Sequence, residues 1–255
     1  MEAAWQLNQY QARLCHEQFA ATVNLLRPAE GIHGVEAATG FSDAHLLGVE
    51  IPSCASTADS LRDEADLVIE KHVRGADLVA AFRETSQWPV RVDLLWRLAA
   101  ARAAGMLAAV ELIVSVATEL LDSRPELTVR TALAADEVLR LADAGASRFL
   151  PLSSGRETSL GPCDGPGCLL FRRRGGQASY AEMIHPADFC HDQLAGGTDA
   201  DAGVELRHKL FPQVLEKGVI LRAWLRGLFC HRADDTAIVA KAYRDFAALD
   251  PPLGA

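Results

Sequence analysis

A mainly β fold, an antiparallel sandwich or supersandwich closed by a C-terminal helix, is what this sequence predicts, and three observations carry the prediction. Near the end, two strand-like runs, Val204 to Phe211 and Val219 to Cys230, are joined by the turn-like segment Pro212 to Gly218. In the second run Val219, Leu221, Ala223, Leu225 and Phe229 share one face, and Arg222, Trp224 and Arg226 share the other. That is the period of a half-buried strand. The same alternation recurs mid-chain, where Val90, Val92, Leu94 and Trp96 interleave with Arg91, Asp93, Leu95 and Arg97. Finally, the period changes after Asp235: Ile238, Ala242, Phe246 and Leu249 mark one side of a helix over about 235–250, capped by Asp235 and stopped by Pro251-Pro252.

Taken in order, the opening segment has no clear period. Phe19 to Leu26 then reads as a strand ended by Arg27-Pro28, and Ala44 to Ile51 as another before Pro52. Ser53 to Asp66, small and charged without an apolar stripe, reads as an exposed loop. Leu67 to Val73 and Asp77 to Arg83 are strands turned at Gly75. Val110 to Ala117 is apolar on both faces, as in a central strand covered on both sides, although the helix formers in Leu98 to Ala109 also fit a buried helix. Its frequent Val and Ile favour the strand, and Leu127 to Leu133 follows at hairpin-like spacing. Asp136 to Ala144 reads as a short helix capped by Asp136 and ended by Gly145. Pro151 to Gly167 and Asp192 to Gly203 read as long loops, with strands at Cys168 to Arg172 and Ser179 to Ile184 between them. No repeat or compositional break divides the chain, so residues 1–255 are expected to form one domain.

With 255 residues, 49% of them hydrophobic, the chain can fill a large core without staples. A formal net charge of −9 argues against nucleic acid and anionic membrane as partners. Nor does any stretch approach the roughly 20 apolar residues of a spanning helix, since Gly105 to Ala117 is short and interrupted by Glu111. Met1 to Asn8 lacks a secretory pattern, which makes the cytoplasm the expected compartment and the six cysteines mostly thiols.

Chemistry concentrates in three places. His185-Pro-Ala-Asp188, with Glu216 in the connection before the last long run, supplies an imidazole and carboxylates for proton transfer; the competing reading makes His-Pro a strand end and Asp188 a turn acceptor. Arg222, Trp224 and Arg226 could stack on and hydrogen-bond a sugar or an anionic ring, or could simply pair across strands with Glu205 beneath a covering helix or loop. Cys163, Cys168, His185 and Cys190, with His191 adjacent, form an alternative zinc set of unusual spacing, against buried or exposed free thiols. His72 and Arg74 stand at a strand end, and His208 faces the core side of its run as a satisfied interior histidine. GxxxxGK[ST], GxGxxG after a strand, HExxH and GxSxG are absent, and no cofactor is expected. If the two terminal runs pair, Glu205, Arg207 and Lys209 join Arg222, Trp224 and Arg226 on one face only when opposed residue numbers add to an odd total.

The ending Val204 to Ala223, with His185 to Phe189 upstream, resembles a bacterial family without an assigned activity. More broadly, many long strands with charged runs near the C-terminus resemble the galactose-mutarotase-like supersandwich proteins. That resemblance implies carbohydrate binding and, in the epimerases, proton transfer by histidine and carboxylate, but it carries no residue-by-residue assignment. The functional expectation is a sugar bound or modified on a concave sheet face. The alternative is a non-catalytic interaction or scaffold protein.

Overall fold

The computed structural model describes residues 4–16, 19–35, 40–52, 65–99, 104–153, 157–196 and 203–251. Its strands, in chain order, are β1 (Ala4–Asn8), β2 (Gln11–His16), β3 (Phe19–Asn24), β4 (Ile32–His33), β5 (His45–Glu50), β6 (Val68–Arg74) and β7 (Asp77–Phe82). Next come β8 (Arg91–Ala99), β9 (Met106–Ala117), β10 (Asp122–Ser123), β11 (Leu127–Leu133), β12 (Glu137–Asp143), β13 (Arg148–Pro151) and β14 (Thr158–Leu160). The last are β15 (Cys168–Arg172), β16 (Ala178–Ile184), β17 (His191–Gly196), β18 (Val204–Leu210), β19 (Leu215–Glu216) and β20 (Ile220–His231), followed by helix α1 (Asp235–Ala247). Most of the expected loop Ser53 to Asp66 lies outside the described residues.

Two nine-stranded antiparallel sheets form the sandwich. One runs β1-β2-β3-β4-β5-β11-β18-β17-β14 and the other β13-β12-β15-β16-β20-β9-β8-β7-β6. Alternation decides which side chains meet between them: Leu14, Val23, Val49, Val129 and Leu206 from the first sheet pack with Leu94, Trp96, Leu112, Val114 and Leu225 from the second. The outer face of the second sheet carries another apolar cluster, in which Leu139, Leu141, Cys168, Leu170, Met183, Trp224 and Leu228 are covered by Val239, Ala242, Tyr243 and Phe246 of α1. β9 lies between β20 and β8, and its two apolar faces serve these two clusters. Among the described residues no helix is long and apolar enough to cross a membrane.

Several expectations are corrected. The two terminal runs do not pair: β18 bonds to β11 and β17, whereas β20 bonds to β9 and β16 in the opposite sheet. Residues 211–219 form an arch between sheets, with Phe211 at φ 57° and Gly218 at φ 81°, and within it β19 pairs with β10. The shared charged face therefore does not exist. Likewise β9 and β11 are not a hairpin, since β11 crosses to the first sheet between β5 and β18.

The expected helix over Asp136 to Ala144 is strand β12, bonded on both sides by β13 and β15. Its apolar residues face opposite ways, Val138 toward the sandwich core and Leu139 and Leu141 toward α1, which mimics helical spacing in one dimension. The two long loops are interrupted by β14 and begin with β17, which pair with each other. Asp235 is the first helical residue rather than the cap; the cap position is Asp234, left-handed and without a side-chain cap bond.

A polar network crosses the core. Glu182 on β16 accepts hydrogen bonds from Thr131 Oγ1 (2.7 Å), Tyr180 Oη (2.5 Å) and His208 Nε2 (2.9 Å), while Nδ1 of His208 meets Asp192 at 2.6 Å. Since β16 belongs to one sheet and β11, β17 and β18 to the other, the network bridges the sandwich. Thr131 also accepts the Leu47 N–H (2.9 Å), which a bulge opposite Thr131 turns inward with Leu47 at φ 53°.

Gly227 makes room for this network, because a Cβ there would lie 2.6 Å from the Tyr180 hydroxyl. Gly227→Ala is therefore expected to cost about 1–3 kcal/mol, read as a lower midpoint in denaturant unfolding. An unchanged midpoint would show that Tyr180 moves aside freely.

Candidate functional site

The antiparallel ladders of β6, β7, β8, β9 and β20 put directly opposed residues on one face, so register alone builds the outer surface of the second sheet as rows. The first row is Glu70, Ala81, Asp93, Ser115 and Arg222; the second is His72, Val79, Leu95, Ile113 and Trp224; the third is Arg74, Asp77, Arg97, Glu111 and Arg226. Rows on one face are roughly 7 Å apart, from two residues of strand rise. An apolar stripe thus lies between two polar rows, with an imidazole at one end and an indole at the other.

The third row alternates in charge across five strands. Arg97 grips Asp77 through two bonds, Nε to Oδ1 at 2.7 Å and Nη2 to Oδ2 at 2.8 Å, and Arg226 donates to Glu111 from Nε (3.1 Å) and Nη2 (2.5 Å). Hydrogen bonding to Asp77 holds the Arg97 guanidinium above its ordinary pKa despite partial burial, so it is a permanent cation. In the first row Arg222 Nε donates to Ser115 Oγ (3.0 Å), and Asp93 accepts from Arg91 Nε (3.0 Å), two residues away on the same strand and face. His72 Nδ1 lies 3.3 Å from Glu70 Oε1, and both side chains are about half exposed.

Over the open part of this face is a concavity of about 520 Å³, lined by Glu70, His72, Asp77, Asp93, Arg97 and Arg222 among others. A smaller hollow of about 290 Å³ adjoins it at Arg97, bounded by Glu111, Trp224, Arg226 and the α1 residues Ala242 and Asp245. Fixed guanidinium and carboxylate groups around an apolar floor suit a polyol, whose hydroxyls need paired donors and acceptors and whose C–H face needs an apolar patch.

Of the residues singled out from sequence, Arg222 lines the concavity, whereas Arg226 and Trp224 line the hollow beside it. Trp224 offers no open stacking plane: it is 5% exposed, with His185 stacked at 5.8 Å and Phe246 edge-on at 4.6 Å. The covering helix, expected as the competing reading, is α1. The pairing partner of Arg226 is Glu111 rather than Glu205, which instead accepts from Arg130 and Arg207 on the other sheet.

His185 and Asp188 come together around Trp224. The Trp224 backbone N–H donates to Asp188 Oδ2 (2.9 Å) and its carbonyl accepts the His185 N–H (2.9 Å), so the turn after β16 continues the ladder with a side chain. Burial pushes the Asp188 carboxyl above its ordinary pKa, opposed by the Trp224 amide and by His185. The His185 ring accepts from the Ala187 N–H at Nδ1 and meets the Leu249 carbonyl at Nε2 (3.2 Å), and the residue is buried. Glu216 is elsewhere, paired with Asp122 in the β10–β19 ribbon, and no hydrogen bond or ion pair joins it to His185 or Asp188.

The alternative metal set is not assembled. Among the described residues no three His, Cys, Asp or Glu side chains are grouped to hold a metal ion. Cys168 points under α1, Cys163 is exposed, and burial raises the thiol pKa of both Cys168 and Cys190, away from the thiolate a metal requires. Cys54 lies outside the described residues. The tightest imidazole–carboxylate constellation among the described residues, His208 with Asp192 and Glu182, is 0–1% exposed, and the hollow that Asp192 lines measures only about 10 Å³.

Sequence reasoning missed Glu70, Asp77, Asp93 and Arg97 as one surface. The available signal was the polar residues spaced by two in β6 (Glu70, His72, Arg74) and β8 (Arg91, Asp93, then Arg97), with Asp77 opening β7; what was hidden was the register that aligns them.

No protein-family model matches the sequence, and no curated protein matches it. Among solved structures, it is similar to an Escherichia coli K12 protein provisionally named an aldose 1-epimerase, with 8% identity, TM-score 0.57, and coverage of 85% of this chain and 97% of that one. It is also similar to YeaD of Salmonella typhimurium, provisionally named a mutarotase, with 10% identity, TM-score 0.53, and coverage of 91% and 94%. Against the galactosidase domain of an α-galactosidase-sucrose kinase, with 11% identity and TM-score 0.47, 89% of this chain is covered but it spans only 42% of that chain. Two nine-stranded antiparallel sheets among the described residues, together with the likeness over most of both chains to the E. coli and Salmonella proteins, show that the chain shares their β-sandwich fold.

Proposed function

We propose that the protein binds a sugar across the concave outer face of its second sheet, in contact with Arg97, Arg222, Asp93 and His72. The observation that carries this reading is the row pattern, polar–apolar–polar at roughly 7 Å spacing, because a pyranose presents an apolar face and polar edges on that scale. Arg97 and Arg222 are held in place by Asp77 and Ser115, which lowers the ordering cost of binding. His72, beside Glu70 and open to the concavity, is the imidazole that this face offers for proton transfer to or from a bound sugar. Interconversion of sugar anomers is accelerated by an acid and a base acting together, roles an imidazole and a carboxylate can fill, and the names given to the E. coli and Salmonella proteins point the same way. His185 and Asp188 act in this reading as positioning residues that fix Trp224 at the end of the apolar stripe.

The test is a titration of aldoses (glucose, galactose and mannose) followed by protein NMR, with anomer exchange measured on the same samples. Arg222→Met is expected to weaken binding about tenfold or more with an unchanged unfolding midpoint, the loss of one charge-assisted hydrogen bond. His72→Gln is expected to slow anomer exchange while leaving affinity within a few-fold. Shifts confined to residues outside β6 to β9 and β20 would refute the assignment.

A further inference from the structure

Seven large apolar residues are exposed among the described residues, and five of them, Leu120, Leu121, Val214, Val219 and Ile220, occupy just two segments. Those segments are neighbours: Ala117 opposes Ile220, Asp122 opposes Glu216, and Lys217 is ion-paired to Glu119 at 2.9 Å. The patch therefore sits where β9 ends and β20 begins, at the Arg222 end of the concave face. Ile220 belongs to both surfaces, since it is 60% exposed and lines the concavity beside Arg222. Leu121 is 86% exposed at the tip of the same ribbon. A cluster of this kind next to a polar site is what a ligand with a polar head and an apolar tail requires.

We propose that this apolar ribbon binds the non-sugar part of a glycoside, an alkyl or aryl substituent, whose sugar lies on the polar rows. The inference rests on the sugar-binding reading above and narrows it from free sugars to apolar glycosides. Continuity through Ile220 is what selects this occupant: a substituent leaving a sugar beside Arg222 meets Ile220, whose chain neighbour is Val219 and beside which runs the segment that carries Leu121.

Calorimetric titration with methyl and n-hexyl β-glucosides and β-galactosides tests it. The hexyl ligand is expected to bind about tenfold more tightly than the methyl ligand, the gain from burying about two methylenes. Leu121→Ser combined with Val219→Ser, both surface changes outside the concavity, should remove that gain and leave methyl-glycoside affinity within twofold. Equal affinity for methyl and hexyl ligands would overturn the apolar site while the sugar reading stands. Absence of binding by either, or hexyl binding that hexanol matches and Arg222→Met does not weaken, would overturn both. A dimer that dissociates on Leu121→Ser would assign the patch to a second copy of the chain and overturn the proposal.

Discussion

Glu182→Ala is expected to destabilise the protein by about 3–5 kcal/mol, the range for removing one partner of a buried charge pair, and to lower its thermal midpoint by on the order of 10 °C. Three donors converge on this carboxylate, from Thr131, Tyr180 and His208, and none is near water: Glu182 and Thr131 are 0% exposed and His208 is 1% exposed. Truncation would leave two hydroxyls without acceptors and an imidazolium with Asp192 alone. Thermal and denaturant unfolding measure the loss; a change under 1 kcal/mol would mean that the network relaxes around the gap.

The same network sets a pH dependence. Burial alone would depress the His208 pKa, but Asp192 and Glu182 outweigh it and push it up to about 10. A folded pKa above the unfolded value of about 6.5 stabilises fully below the latter, and the contribution is lost as pH rises through the former. The wild-type protein should therefore lose stability between about pH 6.5 and 10 relative to His208→Gln, which lacks the titrating group. Parallel stability curves for the two proteins across that window would rule out a charged His208.

How far the sequence reaches is clearest on β20. Period-two alternation there separates Leu221, Ala223, Leu225 and Phe229, which face the core between the sheets, from Arg222, Trp224 and Arg226, which face outward, with Trp224 buried beneath α1. Parity likewise turns His208 inward. What alternation cannot supply is the partner of each strand. Pro212 to Gly218 has the composition of a turn, and a one-dimensional pattern does not distinguish a hairpin from an arch that carries the chain to the opposite sheet. The concave site depends on that missing information, because Arg97 meets Glu111 across the consecutive strands β8 and β9, but Glu111 meets Arg226 only through the β9–β20 ladder, whose strands are far apart in sequence. β12 failed for a related reason: a strand covered on both faces need not alternate.

Asp235→Ala is expected to release α1 from the second sheet, at a cost of about 3 kcal/mol or more, while the two-sheet core persists. The helix is held at its N-terminus by one buried carboxylate. Asp235, 2% exposed, accepts from Arg172 Nε (2.9 Å) and Nη2 (2.6 Å) and from Ser179 Oγ (2.6 Å). Burial would raise its pKa, but these bonds and the nearby Arg172 and Arg232 charges hold it below the ordinary carboxylate value. A depressed folded pKa makes the sign opposite to that of His208: the stabilisation is present above the unfolded value of about 3.9 and is lost as pH falls through the folded one. Hydrogen exchange is the discriminating measurement, since amides of 235–247 should lose protection in Asp235→Ala, and in the wild type on acidification, before those of β9 and β20. Simultaneous loss would show that helix and sandwich form one cooperative unit.

The consequence reaches the candidate site, because α1 supplies the ring of Phe246, 4.4 Å from the Arg226 guanidinium and 4.6 Å from Trp224. With the helix released, Trp224 becomes exposed and Arg226 loses its aromatic support, so its bond to Glu111 stands in water, where such pairs contribute little. Arg97 then keeps Asp77 but loses an ordered neighbour in its row. Aldose affinity should fall in Asp235→Ala although no residue of the 520 Å³ concavity has been changed. Undiminished affinity, together with lost protection of 235–247, would mean that the ligand engages only the rows on the β6 side of Arg97.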